Sequence, residues 1–132
     1  MKKVISMVVL AVMLVSFCFV QANAAAWAAI NFSPGDSTQT GNQVKTSATG
    51  SDADINISTL SGQWIYRIRL ASDGTWASKQ LRFPYTTGPT PHPYERDGYG
   101  NSLGRNNYSY RLNVAYYSLA SGNGSTTGNF TP

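Results

Sequence analysis

Trp64-Ile65-Tyr66-Arg67-Ile68-Arg69-Leu70, followed by Ala71-Ser72-Asp73-Gly74-Thr75 and then by Trp76 to Tyr85, is the stretch that decides the fold class. Apolar and polar residues alternate through it with the period of two that sends successive side chains to opposite faces of a strand. Asp73-Gly74 is a preferred pair for a two-residue hairpin turn, because Gly accepts a positive φ without steric cost. With that pair as the turn, Leu70 opposes Ala77, Tyr66 opposes Leu81 and Trp64 opposes Phe83. The other face then places Ile65 by Arg82, Arg67 by Gln80 and Arg69 by Ser78. Lys79 opposite Ile68 is the one misfit, and it implies a solvated sheet end or a bulge.

The same aromatic-x-Tyr-Arg-aliphatic-x-aliphatic order returns in Tyr108-Ser109-Tyr110-Arg111-Leu112-Asn113-Val114. Alternation predicts a core of Trp64, Tyr66, Ile68, Leu70, Tyr108, Tyr110, Leu112, Val114 and Tyr116, with Arg67, Arg69 and Arg111 on the opposite face. Further strands are predicted over 27–33, 43–49 and 54–60, with a short one near Phe130. Helical spacing is absent after residue 24, and the runs are punctuated by Gly, Ser, Asn, Asp and Pro. The expected fold is all-β, a small single-domain antiparallel β-sandwich of Ig-like or Greek-key type. Residues 86–107 carry Pro89, Pro91, Pro93, Gly98, Gly100 and Gly104 and fit no regular element. A loop of that length is usually functional or disordered.

At the start of the chain, Met1-Lys2-Lys3 precedes an apolar run from Val4 to Val20 and the small-x-small triplet Ala22-Asn23-Ala24. This is the pattern of a secretory signal peptide over 1–24, with a bacterial type of start. The run falls short of the roughly 20 apolar residues that span a bilayer, so no stable membrane insertion is expected after cleavage. A β-sandwich over 25–120 and a flexible C-terminal tail over 121–132 complete the expected organisation. Removing 24 of 132 residues leaves 108, the size of one domain. The single cysteine, Cys18, leaves with the signal, so the domain is disulfide-free. Lys2 and Lys3 leave as well. Eight basic residues then face six acidic ones, a net charge of +2, which gives no global footprint for nucleic acid.

Catalysis has little to work with. His92 is the only histidine, it lies between Pro91 and Pro93, and it is expected at the surface. No serine sits in a Gly-x-Ser-x-Gly elbow. Glu95 and Asp97 have the chemistry of a glycosidase pair but share one loop, whereas such carboxylates need rigid placement on separate elements. Asp52-Ala53-Asp54-Ile55-Asn56 begins like a calcium loop, but Ile57 and Gln63 stand where Gly and Glu are required. No metal, cofactor or catalytic residue is predicted.

Binding chemistry is better represented. Residues 25–132 hold eight Tyr, three Trp and three Phe, more aromatic rings than a small core buries. In the long loop, Tyr94 and Tyr99 accompany His92, Glu95, Arg96, Asp97 and Asn101, a mix of flat apolar faces and adaptable polar groups suited to polar ligands. The second candidate is the basic face of Arg67, Arg69, Arg82 and Arg111, whose guanidinium forks match phosphate and carboxylate. The expected function is that of a secreted, non-enzymatic binding protein attached to a cell-surface or extracellular polymer, either a glycan or an anionic wall polymer. Two alternatives accompany it. One is a self-assembling extracellular matrix protein whose tail adds to a neighbour's sheet edge. The other is a secreted antimicrobial or enzyme inhibitor that presents residues 89–99.

Overall fold

The computed structural model describes residues 24–132. Its strands are β1 (Ala25–Phe32), β2 (Ser37–Gln39), β3 (Gln43–Val44), β4 (Ala53–Ser61), β5 (Trp64–Leu70), β6 (Leu81–Arg82), β7 (Gly88–His92), β8 (Ser109–Tyr116) and β9 (Gly124–Thr131). They form two antiparallel sheets, ordered β1-β9-β4-β7 and β2-β8-β5-β6, with β3 also paired to β8. The described residues contain no helix and form an all-β fold of two layers consistent with a sandwich. The expected signal peptide lies outside the described residues up to position 23.

The pairings are nested. β5 pairs with β6, β4 with β7, β2 and β3 with β8, and β1 with β9. The chain is therefore one long ribbon whose innermost hairpin is Trp64 to Tyr85, and the β4–β9 and β5–β8 ladders close that ribbon into two sheets.

Between the sheets, Trp64, Tyr66, Ile68, Tyr110, Leu112, Val114 and Tyr116 are buried as their alternation predicts, against Trp27, Ile55, Ile57 and Phe130 from the opposite layer. Trp64 lies 4.9 Å from Tyr116, and Trp27 lies 5.7 Å from Tyr66, ring centre to ring centre. Two expected core residues behave differently. Tyr108 precedes β8 and is exposed, and Leu70, where β5 runs into the turn, is only half-buried.

Residues 121–132 are not a flexible tail. Gly124–Thr131 forms β9, which sits inside its sheet between β1 and β4. Its inward positions are Gly124, Thr126, Gly128 and Phe130, all buried. A Cβ at Gly128 would overlap the Asn56 carbonyl oxygen and the Trp27 ring, and one at Gly124 would overlap the Tyr116 ring. The glycines that read as linker composition are the spaces into which aromatic side chains of the other strands fit. Thr126 adds a polar tie between the layers, because its hydroxyl shares a 2.7 Å hydrogen bond with the Tyr66 hydroxyl and donates to the Thr59 carbonyl.

The hairpin tip also differs from expectation. The turn spans more than Asp73-Gly74, since the Leu70 amide donates to the Thr75 carbonyl and Gly74 donates back to Leu70. Asp73 caps the turn by accepting from the Thr75 amide. Arg69 therefore faces Trp76 rather than Ser78, while Ile65 with Arg82 and Tyr66 with Leu81 keep the expected register. The slip is absorbed by a bulge at Ser78, Lys79 and Gln80. Ser78 is buried, and its Oγ accepts from the Ile68 amide at 3.0 Å, replacing the missing ladder bond. Lys79, the misfit of the sequence register, is thereby turned out to solvent.

Replacing Gly128 by Ala is expected to destabilise the fold by about 2–3 kcal/mol, the scale of overpacking in a rigid core. Denaturant titration would measure it, and an unchanged midpoint would contradict the packing assigned to β9. Burial raises the Tyr66 hydroxyl from 10.0 to about 12, against the opposing effect of its hydrogen bond with Thr126. The folded chain keeps that proton where the unfolded chain loses it. Stability attributable to Tyr66 is thus full below pH 10 and falls between pH 10 and 12, by up to about 1.4 kcal/mol per pH unit. Urea titrations across that range should show the decline, and Tyr66→Phe should make it shallower, the raised Tyr94 and Tyr110 hydroxyls leaving a remainder.

Candidate functional site

The loop that reads as one recognition surface is divided by the fold. Within residues 86–107, β7 docks against β4, with Pro89 and Pro91 opposite Asn56 and Asp54. Proline has no N–H, so both sit where the ladder does not need one, on an edge strand. His92, the last residue of β7, is buried rather than on the surface. Its Nε2 lies 2.9 Å from the Lys79 carbonyl and 3.2 Å from the Ser78 hydroxyl, so the ring holds the bulge in place.

Tyr94 also turns inward. Its ring packs 5.1 Å from Tyr110, the Lys45 ammonium lies 5.0 Å from its centre, and a Cβ on Gly104 would collide with it. Burial, then the neighbouring Tyr110, push its hydroxyl far above the ordinary tyrosine range, and that hydroxyl has no hydrogen-bond partner. His92 is therefore interior, and Tyr94, half-buried, turns its ring against Tyr110 at the edge of the core.

The remaining loop residues build a small hairpin. Arg96 bridges to Ser102, Leu103 donates to the Glu95 carbonyl, and Asp97 pairs with Asn101 through the backbone. The Asp97 carboxylate accepts from the Asn101 and Tyr99 amides at 2.9 Å and lies 3.6 Å from Arg105. Those bonds, the Asn101 amide first, hold it below the usual carboxylate range. The Arg96 guanidinium donates to the Gly100 carbonyl. Arg96, Asp97 and Asn101 thus spend their polar groups on the turn, and Tyr99 stands at its tip, 93% exposed. Beneath the tip is an open depression of about 630 Å³ lined by Arg96, Asn101, Arg105 and Tyr108 among others.

Lys45, absent from the sequence-based sites, anchors this end of the molecule. It is fully buried, and its ammonium donates to the Ser47 hydroxyl at 2.6 Å and to the Ser51 carbonyl and hydroxyl at 3.0 Å. Burial pushes it below the ordinary lysine range, against the pull of Asp52. A buried lysine just past a two-residue strand carries no periodic signal, so alternation could not single it out.

The arginines of the expected basic face lie around a tryptophan that the sequence register placed elsewhere. The bulge brings Trp76 between the two arginines of β5, with the Arg67 and Arg69 guanidinium carbons 4.6 and 4.9 Å from its ring centre. Arg67 also donates to the Ser78 carbonyl and approaches Glu95 at 3.8 Å, while Arg69 donates to the Gly74 carbonyl. Arg111 lies directly across the β5–β8 ladder from Arg69, and its buried Nε has no partner. Asn113 and Gln39 continue the same face, joined by a 3.4 Å amide contact. Arg82 opposes Ile65 at the β6 edge, where Gln80 holds it. Trp76 was missed from the sequence because an unbroken two-residue turn places it beyond the arginines. Among the described residues, no three His, Cys, Asp or Glu side chains gather as a metal site.

No family model, curated protein or solved structure matches the chain.

The unpartnered Tyr94 hydroxyl gives a sharp stability test. Tyr94→Phe is expected to stabilise by about 1 kcal/mol, because a buried unpaired hydroxyl is removed and no bond is lost. Tyr94→Ala is expected to destabilise by about 3 kcal/mol through the cavity left beside Tyr110. Thermal melts of the two variants should move in opposite directions.

Proposed function

We propose that this chain is an extracellular, non-enzymatic binding module that holds an anionic polymer on the outer face of the β2-β8-β5-β6 sheet. The observation that carries the reading is the stacking of Arg67 and Arg69 on Trp76, with Arg111 directly across the ladder from Arg69. Arg69 and Arg111 are like charges placed directly opposite on one ladder, which is destabilising unless something negative sits between them. Stacking on Trp76 fixes two guanidiniums in place before a ligand arrives, so less side-chain entropy is lost on binding. Planar, permanently charged forks then match phosphate, sulfate or carboxylate groups. Glu95 offsets only part of this charge, through a single 3.8 Å contact with Arg67.

The polymer is placed outside the cell by the expected signal segment over 1–24. Among the types open to an all-β sandwich, the nested pairing supports the Greek-key reading over the Ig-like one. The strand orders β1-β9-β4-β7 and β2-β8-β5-β6 follow from wrapping one long hairpin, as in a jelly roll. That architecture leaves a broad open sheet face and is compatible with a polymer-binding surface, although function rests on the side chains and not on the fold.

Retention on dextran sulfate, compared with uncharged dextran, tests the proposal. The wild-type chain is expected to bind only the sulfated polymer, with affinity falling as salt rises. Arg69→Ala and Arg111→Ala are each expected to weaken binding tenfold or more, from the loss of a charge-assisted hydrogen bond of about 1.5–3 kcal/mol. Binding that ignores both salt and these substitutions would reject this face as the site.

A further inference from the structure

Each sheet has two edges, and three of the four are protected. β2 and β6 span only three and two residues, and short strands make poor templates for pairing. β7 carries Pro89 and Pro91, whose missing N–H groups leave its open side unable to donate at those positions. The remaining edge, β1, is eight residues long and contains neither proline nor a charged side chain.

The ladder shows which groups β1 leaves open. Pro89 and Pro91 lie opposite Asn56 and Asp54 at positions that do not bond across β4–β7. Alternation then directs Asn56 and Asp54 toward Asn129 and Thr131 of β9, and Phe130, Gly128 and Thr126 toward Ala25, Trp27 and Ala29 of β1. The N–H and C=O groups of Ala26, Ala28 and Ile30 point away from the sheet. The same three residues present exposed side chains, and Ile30 is 62% exposed. Beyond Ile30 the register breaks and Asn31 takes a positive φ of 58°, so the open ladder ends there.

We infer that β1 pairs antiparallel with β1 of a second copy about a two-fold axis at Ala28, joining two four-stranded sheets into one of eight. About that axis Ala28 faces its own mate and Ala26 faces Ile30, so every open group finds a partner and each Ile30 side chain is covered by an alanine. A second copy is the occupant that fits, because its edge likewise lacks charged side chains and matches donor to acceptor. The proline-bearing β7 edge cannot take that place, so the pairing closes as a dimer and does not extend into a fibre. This differs from self-assembly through a C-terminal tail, which β9 rules out by lying inside its sheet. The inference is independent of the anion-binding face, which lies on the other sheet.

Sedimentation velocity of the exported protein over a hundredfold concentration range is the test. A reversible monomer–dimer equilibrium is expected, and a strict monomer throughout would overturn the inference. Ala28→Pro removes only an outward N–H, so it should shift the population to monomer while leaving the circular dichroism spectrum unchanged. A dimer that persists in Ala28→Pro would place the contact elsewhere and overturn the assignment to β1. Ala28→Cys supplies a second readout that does not depend on tolerance of proline. Paired residues at the two-fold axis sit about 5.5 Å apart at Cα, within disulfide reach, so oxidation should give a covalent dimer. Ser37→Cys, exposed on the β2 edge, should give none; equal cross-linking of both variants would also reject the proposal.

Discussion

Everything in this molecule depends on the absence of side chains at Gly124 and Gly128. The sheets are held together by large aromatic rings, with no disulfide available to residues 25–132. Those rings need depth, and two positions of β9 supply it: Trp27 lies over Gly128 and Tyr116 over Gly124, closer than any Cβ allows. Tyr66 then reaches across to Thr126 between the two glycines and meets a hydroxyl in the interior. The order of Gly, Thr, Gly and Phe along the inward face of β9 is therefore a mould of the opposite layer. Because β9 is interior to its sheet, the same four residues also fix the placement of β1 on one side and β4 on the other.

The candidate binding face follows from a second irregularity. A regular hairpin would put Arg69 beside Ser78 and leave Trp76 near the turn. The wider turn and the bulge move Trp76 back onto the arginines, and the cost of the broken ladder is met by the Ser78 hydroxyl and by His92 behind it. A buried serine, whose carbonyl also accepts from Arg67, and a buried histidine behind it thus serve the outer face. Bulges of this kind re-aim side chains, and here the re-aimed residue is a tryptophan that orders two guanidiniums.

Much of the architecture was legible. The alternation of Trp64 to Leu70 and of Tyr110 to Tyr116 identified two central strands, their inward residues and the arginines on the outer side. The Ile65–Arg82 and Tyr66–Leu81 pairs came out in the expected register. The failures share one cause, which is that polar or flexible composition carries no information about burial by distant partners. Gly124–Thr131 resembles a linker, Tyr94 and His92 resemble a loop, and Lys45 resembles any surface lysine. Each is buried by residues far away in the chain: Trp27 and Tyr116 for β9, Tyr110 for the half-buried Tyr94, Ser78 for His92, and the Tyr94 ring for Lys45.

By itself, then, the order of residues determined the all-β class, the absence of a disulfide, the innermost hairpin and the side of the sheet on which its arginines lie. These are consequences of local alternation and of composition, which act over a few residues and can be read along the chain. Only the tertiary structure decided that the last strand is central, that His92 is interior and Tyr94 packed against the core, and that Trp76 joins the arginines. Those outcomes depend on volumes and hydrogen-bond vacancies created by segments far apart in sequence. A glycine becomes a core residue only when another strand brings a ring to fill the space it leaves.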